Sequence, residues 1–163
     1  MSTDTQTLDP TDFAFTRHAW VDATPATVYR LVSDVSSISR WSPNASDVAF
    51  DEGFGPEAGA WFSGRNRKDG NEWTTRSQVV RAEPDAAFAY VVGGARDGIV
   101  EWSWTIRPQG RGSVAQQSWR LLRMDPVLGS TLAEVSALRD YMAASAEATL
   151  AALAEWVADN PRR

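Results

Sequence analysis

The sequence has no cysteine and one histidine, His18, among its 163 residues. The first absence excludes disulfides, thiolate metal sites and cysteine nucleophiles. The second leaves any imidazole metal site or Ser-His-Asp triad dependent on a single strand residue with no orienting partner in sequence. Lysine is equally scarce: of 16 basic residues, only Lys68 is not arginine. The net charge is −5 and the arginines are scattered, whereas a nucleic-acid partner needs concentrated positive charge. Paired carboxylates, a glycine-rich phosphate loop, metal-ligand spacing and a nucleophile elbow are also missing, so no metal and no cofactor is expected. No apolar run reaches membrane-spanning length, and residues 1–12 lack the basic and apolar stretches of a signal peptide. The expected location is the cytoplasm, without membrane insertion, as a monomer or homodimer. The bias to Arg and Ala fits a GC-rich bacterial genome and carries no mechanism.

What the chain does have is tryptophan, eight residues of it, most of them in the middle of the sequence. Aromatic side chains bury much area and also line ligand pockets. Residues 1–12 read as a mobile tail, 13–158 as one domain and 159–163 as a second short tail. Phe13 to Val21 alternates as a first strand. Thr24 then caps a helix that begins at Pro25 and carries an apolar face through Val28, Tyr29, Leu31 and Val32. A second short helix, about Ser36 to Arg40, stops before Pro43.

From Asp47 to Leu122 six strand-like segments follow, joined by short turns. They cover 47–52, 60–67, 72–81, 87–92, 99–107 and 113–122. Lys68-Asp69-Gly70-Asn71 is a hairpin signal. Strands in such succession form an antiparallel meander. From about Ser130 to Ala158 there is neither Gly nor Pro, and an apolar stripe recurs at helical spacing. Ser130 or Thr131 caps this helix, with Glu134 completing a capping box. A helix of that length needs a large surface to lie on, and the sheet is the only one. The fold class is therefore α+β: a curved seven-stranded antiparallel sheet, two short helices after the first strand, and a long C-terminal helix. Small residues dominate the helix stripe, which leaves room for a hollow over a curled sheet, or for close packing.

Several segments in this order resemble the START-like (SRPBCC) superfamily, and within it the polyketide cyclase/dehydrase and lipid-transport group. They are Ala23-Thr24-Pro25-Ala26-Thr27-Val28-Tyr29, Trp41-Ser42-Pro43, Gly59-Ala60-Trp61-Phe62, Glu83-Pro84 before Phe88-Ala89-Tyr90, Trp102-Ser103-Trp104, and Gly112-Ser113-Val114 through Trp119. The resemblance implies a helix-grip fold with a hydrophobic cavity between sheet and helix. It implies function only broadly, since such proteins include both carriers and aromatase/cyclases.

Alternation assigns one face of each strand to that cavity. Phe62, Gly64 and Asn66 point inward, leaving Trp61, Arg65 and Arg67 outside. Trp73, Thr75, Ser77 and Val79 follow, then Phe88, Tyr90 and Val92, then Trp102, Trp104 and Ile106. Val114, Gln116 and Ser118 are read as the inward set of the last strand, against which Trp119 argues. Aromatics mixed with neutral polar groups suit a pocket better than a dry core, because each buried polar group needs a partner. Trp41 is either a plug under its loop or part of the pocket mouth. Gly64 is either a bend or a contact. Val135, Arg139 and Met142 lie where the long helix crosses the sheet. Arg139 pairs with a ligand anion if inward and is a solvated charge if outward.

The expected function is binding of a small hydrophobic ligand: lipid-like, polyketide-like or aromatic. The alternative is a polyketide aromatase/cyclase or dehydratase, with Tyr90, Asn66 and Arg139 as candidate catalytic groups. Its Trp41-Ser42-Pro43-Asn44-Ala45-Ser46-Asp47 segment lacks the Leu-Phe and Glu-Tyr pairs that usually follow Trp-Pro in aromatase/cyclases. The third reading is a scaffold whose cavity is filled by its own side chains. Trp61 and Trp156 are expected at the surface.

Overall fold

The computed structural model describes residues 8–161 except Phe54. Thr24 caps the first helix, α1 (Pro25–Ser33), by accepting a hydrogen bond from the Thr27 amide, with Pro25 as the first helical residue. A 3-10 turn at Val35–Ser37 leads into α2, Ile38–Trp41. The strands are β1 (Ala14–Val21), β2 (Ala45–Glu52), β3 (Trp61–Lys68), β4 (Asn71–Glu83), β5 (Ala87–Val92), β6 (Val100–Gln109) and β7 (Gly112–Leu121). They form one antiparallel sheet in the order β1-β7-β6-β5-β4-β3-β2, the expected meander with β1 returned to its far edge. The connection from β1 to β2 must cross the whole sheet, and α1 and α2 carry it.

The 28-residue α3 (Leu132–Asp159) spans about 42 Å at helical rise. Its capping box is complete: Thr131 Oγ1 accepts from the Glu134 amide, and Glu134 Oε1 accepts from the Thr131 amide. The hairpin at Asp69-Gly70 has both central residues at positive φ, 52° and 82°, which is the turn that matches strand twist. It joins β3 and β4 so that Lys68 pairs with Asn71.

The tail expected over 1–12 is shorter where it is described. Asp9 caps a 3-10 turn at Pro10–Asp12, and Leu8 packs against the core. Residues 1–7 lie outside the described residues, as do 162–163 of the expected C-terminal tail; α3 runs through Asp159. Among the described residues no helix is long and apolar enough to cross a membrane.

The buried apolar residues fall into two separate clusters. One joins α1 and α2 to the C-terminal half of α3, through Val28, Val32, Trp41, Leu150, Leu153 and Val157. The other gathers Phe13, Val100, Trp119 and Leu121 around Val135, near the start of α3. The middle of α3 lies between them.

Candidate functional site

Between the two clusters the helix and sheet enclose a cavity of about 320 Å³. The space is not filled by the protein's own side chains, so the filled scaffold is not what the structure contains. The floor comes from neighbouring strands: Tyr90, Trp102, Trp104 and Gln117 on β5, β6 and β7, with Asn66 and Trp73 on β3 and β4. Cross-strand pairing sets these side by side, Tyr90 opposite Trp102, Trp104 opposite Gln117, and Asn66 opposite Trp73. The roof is one face of α3: Leu138, Tyr141, Met142, Ser145 and Thr149. Val32, Ile38 and Trp41 close one end. Trp73 and Val127 are both exposed and stand at the open side, with the half-buried Lys68.

Of the residues assigned from sequence, Trp41, Asn66, Trp73, Tyr90, Trp102, Trp104 and Met142 line this cavity. Trp41 is the plug rather than part of the mouth: it is buried in the first cluster, edge-on to Trp156, and walls the closed end of the pocket. Phe62 and Phe88 face inward but stand behind Tyr90, with Phe62 edge-on to it at 4.9 Å between centroids. Thr75 does not line the cavity; its hydroxyl accepts from Asn66 Nδ2 at 2.9 Å and so fixes that amide.

Five further assignments are corrected, and one open alternative is decided. Gln116 and Ser118 face away, opposite His18 and Thr16 on the convex side of β1. With them goes Val114, opposite Trp20. The inward residues of β7 are Ala115, Gln117 and Trp119, as the register with Ile106, Trp104 and Trp102 requires. The space inside Gly64 is taken by Val48, whose Cγ2 would lie 2.9 Å from an added Cβ. Val48 reaches there because β2 bulges between Ser46 and Ala49, with Asp47 in the left-handed region. Val135 is fully buried in the second cluster. Arg139 is not a cavity residue: its guanidinium pairs with the exposed Asp140 at 3.3 Å. His18 is exposed. Trp61 and Trp156 are not bare surface aromatics: each is half-buried and carries an arginine over its ring, Arg76 and Arg40.

The structure adds a polar cluster that the sequence reading missed. Tyr141 donates its hydroxyl to Asn44 Oδ1 at 2.7 Å, and Asn44 Nδ2 donates to Ser145 Oγ at 3.1 Å. This ties the start of β2 to α3 across the open side. Lys68 Nζ sits 4.1 Å from the centre of the Tyr141 ring, a cation–π contact. Both residues follow the spacing of their cavity-facing neighbours. Lys68 is two positions beyond Asn66 on the inward face of β3, and Tyr141 is three beyond Leu138 on α3.

Two polar atoms on the inward face of β7 are buried without a hydrogen-bond partner, Gln117 Oε1 and Trp119 Nε1. Only Gln117 lines the cavity. Burial pushes the Tyr90 phenol well above its ordinary value, so it holds its proton at neutral pH. The floor can therefore offer a proton-bearing hydroxyl and an unpaired side-chain amide against apolar walls, and no anion. Among the described residues no cluster of three or more His, Asp or Glu is placed to hold a metal ion.

Among solved structures, the chain is similar to the Polyketide_cyc-like protein Cgl2372 from Corynebacterium glutamicum. They share 28% identity over 92% of this chain and 94% of that one, with a TM-score of 0.63. The same fold appears in the di-domain ARO/CYC StfQ from the steffimycin biosynthetic pathway, at 17% identity and a TM-score of 0.73, over 91% of this chain and 51% of that one. It appears again in Ara h 8.0201, at 13% identity and a TM-score of 0.68, over 90% and 97% of the two chains. No curated protein matches the sequence. The sequence profile described as polyketide cyclase / dehydrase and lipid transport matches residues 12–157, nearly the whole described chain, and the protein belongs to that family.

Proposed function

We propose that this protein binds a small hydrophobic molecule in the cavity beneath the middle of α3. The observation that carries the reading is the interruption of the core. Four tryptophans, Trp41, Trp73, Trp102 and Trp104, converge on about 320 Å³ that no side chain occupies. A void lined this way forfeits dispersion contacts that a guest restores, while the guest's own apolar surface leaves water. The volume lies at the small end of the range for small-molecule sites.

The test is titration with N-phenyl-α-naphthylamine, a neutral probe that fluoresces in apolar surroundings. The expected result is saturable binding at one site with quenching of tryptophan emission. Absence of saturable binding overturns the reading. Native mass spectrometry of freshly purified protein would report any ligand carried through purification.

Tyr90 favours a second reading, polyketide cyclisation or dehydration within the same cavity. A phenol that keeps its proton can donate a hydrogen bond to a carbonyl or enolate oxygen of a folded poly-keto chain. Turnover of a poly-keto thioester that disappears in Tyr90→Phe, with probe binding retained, would support it. Equal turnover in the variant would remove Tyr90 from the chemistry.

A further inference from the structure

We propose that the cavity takes an amphipathic monoanion lying head-out, with its carboxylate at Lys68 and a hydroxyl at Gln117. This rests on the reading of the cavity as an apolar binding site and adds the polarity of its ligand. The two ends are marked by independent observations.

At the open side, the charge is an ammonium in a chain that otherwise uses arginine. The tight turn at Asp69-Gly70 places Lys68 at the last inward position of β3. Its neighbours on the other face, Arg65 and Arg67, are paired with Asp47 and Glu72. Lys68 has no carboxylate within salt-bridge distance among the described residues. What it has is the face of Tyr141, held in place by Asn44. A ring face engages one side of an ammonium and leaves donors on the other, here beside the cavity wall. A half-buried, unpaired cation at the rim of an apolar hollow favours an anionic head group.

At the inner end, Gln117 is only 5% exposed, and its Oε1 has no partner. Trp104 beside it and Trp102 beyond it donate nothing to it. A guest that ends there in a hydroxyl gives this amide a partner; one that ends in a methyl leaves it unpaired, which costs affinity. Gln117 on β7 and Lys68 on β3 are four strands apart, about 19 Å along the sheet and less across its concave side. A medium-length chain or a fused-ring acid spans that gap, while a small aromatic acid reaches one end only.

The test is displacement of N-phenyl-α-naphthylamine by four matched compounds: ω-hydroxydodecanoic acid, dodecanoic acid, and the methyl ester of each. The hydroxy acid is expected to bind about tenfold more tightly than either compound lacking one group. Lys68→Met should bring each acid to the affinity of its ester while the preference for the hydroxyl survives. Gln117→Leu should erase the hydroxyl preference while the acids keep their advantage; Gln117→Met serves if the leucine variant does not fold. Equal displacement by acids and esters, or a Lys68→Met effect spread evenly over all four, overturns the inference and leaves the apolar site standing. Failure of even methyl dodecanoate to displace the probe overturns both.

Discussion

The two halves of α3 lie on one sheet and meet it differently. The C-terminal half sinks Leu150, Leu153 and Val157 into a continuous core with α1 and α2. The N-terminal half carries Leu138, Tyr141, Met142 and Ser145 over a hollow and is anchored at its first turn by Val135. The mean composition of the two halves is similar. The difference lies beneath them. The small helices pack against one half, while under the other the sheet side chains leave a hollow. One part of the helix therefore stabilises the fold and the other shapes a site, and substitutions along it should separate the two effects.

The largest expected effect is in the solid half. Leu153→Ala removes a side chain with no exposure and should cost about 2–5 kcal/mol of stability, measured by urea unfolding. A comparably large loss of stability from truncating Met142 would erase the contrast. Next is the cap of the bridging half: Thr131→Ala removes the acceptor for the Glu134 amide and should cost about 1 kcal/mol. Smaller in stability is Met142→Trp, which adds bulk to a hollow rather than to a packed core. It should shift stability by less than about 1 kcal/mol and abolish probe binding. Unchanged binding in that variant would mean the probe sits elsewhere.

The smallest effect is a pH dependence. The amides of Ser130 and Thr131 hold the Glu134 carboxyl below its ordinary value of 4.5. Its contribution is therefore full above that value and is lost as pH falls through the lowered one. Thermal melts between neutral pH and about pH 3 should show Glu134→Gln losing less stability on acidification than the parent. Parallel curves would show that the capping carboxylate is not titrating in this window.

Strand alternation located the cavity face correctly where a strand carried contrast between its two sides. On β3 the arginines Arg65 and Arg67 could not both be buried, so Phe62 and Asn66 had to be. On β6, Trp102 and Trp104 against Glu101 and Arg107 left no ambiguity. On β7 the run Ser113 to Ser118 offers no such contrast, and Trp119 was the one marker of the true phase. Reading against it turned Gln116 and Ser118 inward in place of Gln117. The register with β6 settles the point, because Trp104 and Gln117 are paired residues on one face. Gly64 failed for another reason: its space is used by Val48 from a bulge whose existence depends on a left-handed Asp47.

Local chemistry determined the elements of this protein. The Thr24-Pro25 start of α1, the Asp69-Gly70 hairpin and the Thr131–Glu134 box depend on residues a few positions apart, so the chain alone specifies them. The order of those elements then left one antiparallel sheet with a long helix across it. Tertiary structure alone decided where the core breaks, which side chain of β7 enters the break, and that Asn44, Lys68 and Tyr141 meet at its edge. Those outcomes depend on cross-strand register, sheet curvature and the angle of α3. They are properties of residues far apart in sequence, to which local spacing is blind.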